Sequence, residues 1–129
     1  MERILVDTCI LIAAYRGDET IIQELLKIKN RIVISPITAM ELYRGAKTKE
    51  RKKDLEKQLK SYAIVHLNKD IGEKAISLMK KHQTGRREVF IPDCIIGATC
   101  LLYDFKLFTE NKSDFEFMEH IKFYDVMFG

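Results

Sequence analysis

Glycine is scarce in this chain: its 129 residues include six glycines, and the closest two stand twelve positions apart. The P-loop and the GxGxxG dinucleotide fingerprint both need glycines within a few residues of one another, so neither motif is present. Histidine is also sparse, and His66, His82 and His120 form no HExxH pair. No serine lies in a GxSxG elbow. The common short motifs for nucleotide binding, zinc peptidases and serine hydrolases are therefore excluded.

Cysteines and long apolar runs are few as well. The three cysteines, Cys9, Cys94 and Cys100, make no CxxC pair and are odd in number, which predicts neither a disulfide framework nor a zinc site. Their number agrees with a reducing cytoplasm, where we expect the protein to reside. The longest uncharged stretch, 94–103, has ten residues and is too short to cross a bilayer, so no membrane contact is expected. A net charge of +3 does not by itself indicate a nucleic-acid-binding protein.

Short β-branched runs alternate with longer helical patterns along the chain. Strands are predicted over 4–6, 32–34, 63–65 and 89–91, with two late short strands over 106–109 and 121–124. Helices are predicted after Asp18, after Ser35 with Pro36 in the first turn, over 49–60, after Asn68, and from Pro92 to about residue 103. This alternation is typical of a parallel sheet covered on both faces. We therefore expect an α/β protein with one domain over 1–129.

Three carboxylates stand out because their surroundings are almost free of charge. The windows 4–14, 32–43 and 89–103 hold 38 residues, in which the chain's average composition would place about 12 charged side chains. They hold three, one in each window, and all are acidic: Asp7, Glu41 and Asp93. Taken singly, either aspartate could cap a helix and Glu41 could lie on an exposed helix face. Neither role explains why the charges in all three windows are negative.

The predicted strands place these acids where a common site is expected. Asp7 follows the first strand directly, and Asp93 follows the fourth with one residue between. Ligands of parallel α/β sheets bind beyond the carboxyl ends of the strands, where Glu41 can join from a neighbouring helix. Three adjacent carboxylates cannot all stay ionised without a cation, and oxygen ligands suit Mg²⁺ or Mn²⁺ better than zinc. Such a cluster is typical of metal-dependent phosphodiester hydrolysis.

At these residues the sequence resembles PIN-domain ribonucleases, most closely the compact VapC-type toxins of prokaryotic toxin–antitoxin pairs. Four motifs in order carry the resemblance over the whole chain: ILVDT at 4–8; Ser35, Thr38, Glu41-Leu42 and Gly45; PDCIIGAT at 92–99; and Thr109, Asn111 and Asp114-Phe115. Two positions depart from the family pattern, with Cys9 where Ser or Asn is commoner and Gly97 where Ala is usual. Neither departure removes a charge, so both bear on substrate positioning and not on the acids.

The resemblance implies a three-layer α/β/α PIN-like domain with a central, mainly parallel sheet of four to five strands. It implies an endoribonuclease that uses Mg²⁺ or Mn²⁺ and water as the nucleophile. Asp114 joins the other three acids, so that the implied catalytic and metal-binding residues are Asp7, Glu41, Asp93 and Asp114. Thr8, Thr109 and Asn111 are implied to hold these carboxylates or the attacking water.

The same resemblance implies a set of partners. The substrate is RNA, and a small VapB-type antitoxin silences the enzyme by laying a helix and an extended tail over it. The protein is expected to form a homodimer and to meet DNA only indirectly, through the antitoxin.

Positive charge is concentrated over 44–60, where eight basic and three acidic residues give a net charge of +5. Most of these side chains belong to a charged helix and fit a solvated face with internal ion pairs. Arg44 and Lys47 are the better candidates for binding substrate, because Arg44 lies one helical turn from Glu41. Arg86 and Arg87 precede the predicted fourth strand, which would place them about 20 Å from Asp93 at the other end of the sheet.

Three alternative functions fit the residues less well. A catalytically inactive PIN-fold module that binds RNA or protein would not need acids at all four positions. A phospho-acceptor receiver module needs an acceptor Asp after its third strand, where this chain has His66-Leu67-Asn68. A haloacid-dehalogenase-like phosphatase needs an Asp two residues after Asp7, and Cys9 stands there.

Overall fold

A computed structural model describes residues 2–126 of the chain. In this part of the chain, five strands form one sheet in the order β3-β2-β1-β4-β5, and every neighbouring pair is parallel. The strands are β1 (Ile4–Val6), β2 (Ile32–Ile34), β3 (Ala63–Ile64), β4 (Lys106–Phe108) and β5 (Lys122–Phe123). The register pairs Ile4 with both Ile32 and Lys106, so β1 lies at the centre.

Within residues 2–126, six α-helices cover the two faces of the sheet. They are α1 (Thr8–Tyr15), α2 (Glu19–Lys27), α3 (Pro36–Gly45), α4 (Lys49–Leu59), α5 (Lys69–His82) and α6 (Ile91–Tyr103). Side chains alternate across β1: Ile4 and Val6 pack in one core with α1, α2 and α4, whereas Leu5 packs in a second core with α5 and α6. The predicted fold class, α/β with a parallel sheet in three layers, is confirmed. The prediction of one domain over 1–129 stays a prediction.

The strand predicted over 89–91 is wrong. Residues 88–90 have no regular secondary structure, and α6 begins at Ile91. The Val89 side chain is buried in the core beside α5 and α6, and its N–H donates to Gln83 Oε1 (2.8 Å) instead of to a strand. The parallel neighbour of β1 on this side of the sheet is β4. A short apolar run is consistent with a buried strand or with the start of a buried helix, and periodicity alone does not separate them.

The predicted helix starts have the N-terminal capping residues that the sequence indicated. Asp18, Ser35 and Asn68 each accept a hydrogen bond from a backbone N–H in the first turn that follows. Pro36 occupies the first position of α3, where its missing N–H is not needed. An additional helix, α1, was not predicted, because its eight residues are apolar on nearly all sides and give no helical periodicity.

Asn68 supports a prediction about stability. Its Oδ1 accepts from Ile71 N–H (2.9 Å), and its Nδ2 donates to the Tyr103 hydroxyl (2.8 Å), which joins the start of α5 to the end of α6. We expect Asn68→Ala to lower the free energy of unfolding by about 1 kcal/mol, the usual cost of losing such a cap. Urea unfolding of this variant beside Asn68→Ser, which retains a capping oxygen, measures the effect, and equal loss in both variants would contradict the capping role.

The glycine that departs from the family pattern has a packing reason. A Cβ at Gly97 would stand 2.4 Å from Met118 Sδ, and Met118 is buried. The thioether therefore fills the space that an alanine methyl group would take.

No helix among residues 2–126 is long and apolar enough to cross a membrane.

Candidate active site

Asp7 lies at the carboxyl end of the central strand, where it caps α1. Its side chain is 7% exposed and is fixed by donors on both oxygens: Thr8 N–H donates to Oδ1 (2.8 Å), and the Thr109 hydroxyl donates to Oδ2 (2.8 Å). Burial raises the pKa of Asp7, the charge of Glu41 raises it further, and these hydrogen bonds act in the opposite direction. Capping and membership of an acidic site are therefore compatible roles for this residue.

Thr109 reaches Asp7 because it directly follows β4, the parallel neighbour of β1. Adjacent parallel strands end at the same edge of a sheet, which brings residues 7 and 109 together across 102 positions of sequence. The Thr109 hydroxyl also accepts from Asn111 N–H (3.0 Å), so its own proton points to Asp7. Asn111 supports the site through this backbone contact, and its exposed side chain has no hydrogen bond within residues 2–126.

Glu41 is positioned from the middle of α3. The Thr8 hydroxyl donates to Glu41 Oε1 (2.8 Å) and lies 3.1 Å from the hydroxyl of Thr38, which is fully buried. Thr8 is the donor in both contacts, so its single hydroxyl proton is shared between Glu41 and Thr38, and the Glu41 contact is the shorter. Thr38 was noted in the sequence as part of a motif, but its supporting contact depends on the packing of α1 against α3 and was not predicted.

Asp93 and Asp114 complete the acidic group. Asp93 is in the first turn of α6, and Asp114 ends a short 3₁₀-helix (Lys112–Asp114) that the buried Phe115 ring anchors. Burial and, in decreasing order, the negative charges of Asp114, Asp7 and Glu41 together raise the pKa of Asp93 to about 7. The other three predicted carboxylates are therefore within electrostatic reach of Asp93, although Asp93 lies in the first turn of a helix and does not follow a strand.

No basic side chain neutralises this group among residues 2–126, because none of the four acids has an ion pair there. Within the same residues, no three His, Cys, Asp or Glu side chains are close enough together to form a ready coordination set. Unshielded like charges keep carboxylates apart, so a cation would have to draw these groups together. The chemistry of the donors, which are all carboxylate oxygens, fits a hard divalent ion.

Cys9 also contacts the site. Its Sγ lies 3.6 Å from Asp7 Oδ2 and 3.6 Å from Thr109 Oγ1, and it accepts from Glu110 N–H (3.5 Å). Burial and the charge of Asp7 both raise the pKa of this thiol, so the neutral form is favoured. Cys9 is therefore a weak, neutral hydrogen-bonding group beside the carboxylate.

The basic residues singled out from the sequence lie at the periphery. Arg44 and Lys47 are exposed at and just after the end of α3, and neither has an ion pair within the described residues. Arg87 stacks on the Phe117 ring, with its guanidinium carbon 4.5 Å from the ring centroid. The separation of about 20 Å that was expected between Arg87 and Asp93 assumed an extended strand over 89–91, and that strand is absent.

Comparison with known protein families identifies the family of this chain. The PIN domain model matches residues 4–120, which is most of the chain. The chain belongs to the PIN domain family. The family resemblance carried by the four sequence motifs is thus confirmed. A sequence search of curated proteins finds no match.

Solved PIN-fold structures share the whole architecture. A toxin–antitoxin complex from Klebsiella pneumoniae contains a chain 31% identical to this one, with a TM-score of 0.77 over 91% of this chain and 93% of that one. DNA-bound VapBC from Salmonella typhimurium is 20% identical, with a TM-score of 0.86 over 98% and 100% of the two chains. VapBC-1 from nontypeable Haemophilus influenzae is 19% identical, with a TM-score of 0.81 over 95% and 96%. The VapC-type resemblance therefore extends from the motifs to the fold.

The hydrogen bond from Thr109 to Asp7 leads to a prediction about metal affinity. Thr109→Val keeps the shape of the side chain but removes the donor to Asp7 Oδ2, so we expect the affinity for Mn²⁺ to fall by about 10- to 100-fold. Isothermal titration of Mn²⁺ into the wild type and the variant measures the change. Thr109→Ser retains the hydroxyl and serves as the control, and unchanged affinity in the valine variant would contradict the role of Thr109.

Proposed function

We propose that this PIN domain is a VapC-type toxin, a metal-dependent endoribonuclease that hydrolyses RNA phosphodiester bonds. One observation carries the proposal: three carboxylates from separate parts of the chain, Asp7, Glu41 and Asp114, act electrostatically on a fourth, Asp93, and none of the four has a basic partner in the described residues. Placing mutually repelling acids near one another destabilises a protein, so their arrangement favours a role that requires them. The catalytic set is Asp7, Glu41, Asp93 and Asp114.

The same four side chains would hold Mg²⁺ or Mn²⁺. A bound divalent cation supplies charge that neutralises phosphate oxygens and lowers the pKa of water. Asp7 is the most rigid of the donors, because Thr8 and Thr109 fix both of its oxygens. Glu41 is oriented by Thr8, and Asp93 and Asp114 approach from the other side of the sheet, where α6 and the 3₁₀-helix lie. The chain thus orients Asp7 and Glu41 through hydrogen bonds from Thr8 and Thr109.

The partners in the proposal follow from the structures that the chain resembles. Those are toxin–antitoxin complexes, some of them bound to DNA. We propose that a VapB-type antitoxin inhibits this protein, that the protein forms a homodimer, and that it contacts DNA only through the antitoxin. The reducing cytoplasm, where RNA and antitoxin are both present, is the proposed location.

Cleavage of single-stranded RNA tests the proposal. We expect the purified chain to cut a mixture of labelled RNAs in Mg²⁺ or Mn²⁺ and to stop when EDTA is added. Expression in bacteria is expected to arrest growth, and co-expression of the antitoxin encoded beside it is expected to restore growth. Metal-dependent RNA binding without any cleavage would instead favour the inactive PIN-fold binding module.

A further inference from the structure

A groove runs from Glu41 between α1, α3 and α4, and the catalytic set does not account for it. Its volume is about 620 Å³, which lies within the usual range of about 300–1,000 Å³ for ligand pockets. Glu41 lines one part of the groove, and Tyr15, Arg16 and Arg51 line another. A molecule bound there would therefore be in continuous contact with the proposed catalytic centre.

Two arginines make this groove suited to binding phosphate groups. Neither Arg16 nor Arg51 lies within 4.0 Å of a carboxylate in residues 2–126, although Asp54 also lines the groove. Both have anchored backbones: Arg16 N–H donates to Ile12 O (3.0 Å), and Arg51 N–H donates to Thr48 Oγ1 (3.2 Å). Exposed guanidinium groups on fixed backbones are suited to binding phosphate oxygens in a fork geometry.

Tyr15 adds an aromatic surface to the same groove. Its side chain is 50% exposed and makes no aromatic pair among the described residues. Phosphates on arginines and bases stacked on an aromatic ring are the two contacts that bind single-stranded nucleic acids. A duplex keeps its base faces stacked inside the helix, where Tyr15 cannot reach them.

We propose that this groove binds the backbone of single-stranded RNA on one side of the scissile phosphate, with Arg16 and Arg51 on phosphates and Tyr15 stacked on a base. The proposal rests on the ribonuclease function proposed above and names its substrate-binding residues. Arg44 and Lys47, the candidates from the sequence, do not line the groove. The sequence did not identify Arg16 as a candidate, because it lies outside the basic segment 44–60. Its position in the same groove as Arg51 depends on how α1 packs near α4.

The first test is the salt dependence of RNA affinity. Fluorescence anisotropy of a labelled single-stranded RNA with the full-length chain gives the slope of log affinity against log salt. Each phosphate contact on a single strand contributes about 0.7 to this slope, so Arg16→Ala/Arg51→Ala is expected to reduce it by about 1.4. Arg16→Lys/Arg51→Lys keeps the charge and is expected to keep the slope. Lys53→Ala/Lys57→Ala removes the same charge from the part of α4 outside the groove and is the matched control.

The second test is steady-state cleavage. We expect KM to rise about tenfold or more in Arg16→Ala/Arg51→Ala and in Tyr15→Ala, because each loses contacts made to the bound strand. Tyr15→Phe keeps the stacking ring and is expected to keep the wild-type KM. A parallel series with Arg44→Ala/Lys47→Ala compares the sequence-based candidates directly.

The outcomes separate this inference from the proposed function. If the wild type cleaves RNA and the Arg16/Arg51 alanine variant retains its KM and salt slope, the groove proposal is wrong and the ribonuclease stands. If that variant behaves normally toward RNA but is no longer inhibited by the antitoxin, the groove binds protein, which also overturns the proposal. If the wild type neither cleaves nor binds RNA, the proposed function fails and the groove proposal fails with it.

Discussion

Asp7→Asn is expected to lower metal-dependent RNA cleavage by about 10³-fold or more, which corresponds to a loss of roughly 4 kcal/mol of transition-state stabilisation. Asp7 is the most buried of the four acids and the one whose two oxygens are both held by donors. The substitution keeps the size of the side chain but removes its charge. The amide must also place an NH₂ group where Thr8 or Thr109 now donates.

Initial rates of RNA cleavage over a range of Mn²⁺ concentrations measure this effect. Asp18→Asn is the matched control, since Asp18 caps α2 through Ile21 N–H and asparagine caps helices equally well. We expect the control to retain wild-type rates and circular dichroism. Full metal-dependent activity in Asp7→Asn would show that the acidic centre is not the site of the reaction.

Asp93→Asn is expected to stabilise the metal-free protein. Without a divalent cation, the folded state binds a proton at Asp93 up to a pKa of about 7, whereas the unfolded chain releases it near 3.8. The free energy of unfolding of the wild type should therefore fall as the pH rises from about 4 to 7. Because Asp93 is partly exposed and water screens its charge, we expect asparagine to stabilise the metal-free protein by about 1–2 kcal/mol above pH 7.

Thermal unfolding in EDTA between pH 4 and 8 measures this prediction. The melting temperature of Asp93→Asn should exceed that of the wild type by about 5 °C at pH 8, and the two should converge near pH 4. A smaller decline with pH should remain in the variant, because the pKa of Asp7 is also raised. Adding Mn²⁺ should raise the melting temperature of the wild type more than that of the variant. Parallel pH profiles for the two proteins would contradict the electrostatic account.

The centre of the fold could be predicted because its strands are buried on both faces. Residues 4–6 and 32–34 are continuous apolar runs in a chain that is 32% charged, and their boundaries are those of β1 and β2. The run 89–91 is also entirely apolar, yet it leads into α6. What separates the cases is tertiary: β4 pairs with β1, and Pro92 lies in the first turn of a helix.

The candidate site was only partly visible in the sequence, for a similar reason. Asp7, Glu41 and Asp93 stand out because their neighbours carry no charge. Asp114 lies among Glu110, Lys112 and Glu116, so only the family motif identifies it. The groove residues Arg16 and Arg51 have no local signal, since their relation to Glu41 depends on the packing of three helices.

The origin of the oxygen in the cleaved phosphate tests the central claim most directly. The wild-type chain would cut a labelled single-stranded RNA in ¹⁸O-enriched water with Mn²⁺, and mass spectrometry would identify the new ends. Hydrolysis by water predicts terminal phosphomonoesters that carry one ¹⁸O atom, no 2′,3′-cyclic phosphate at any time, and no products in EDTA. Cyclic phosphate ends, which arise when the RNA's own 2′-hydroxyl attacks, or cleavage that continues in EDTA, would contradict the account.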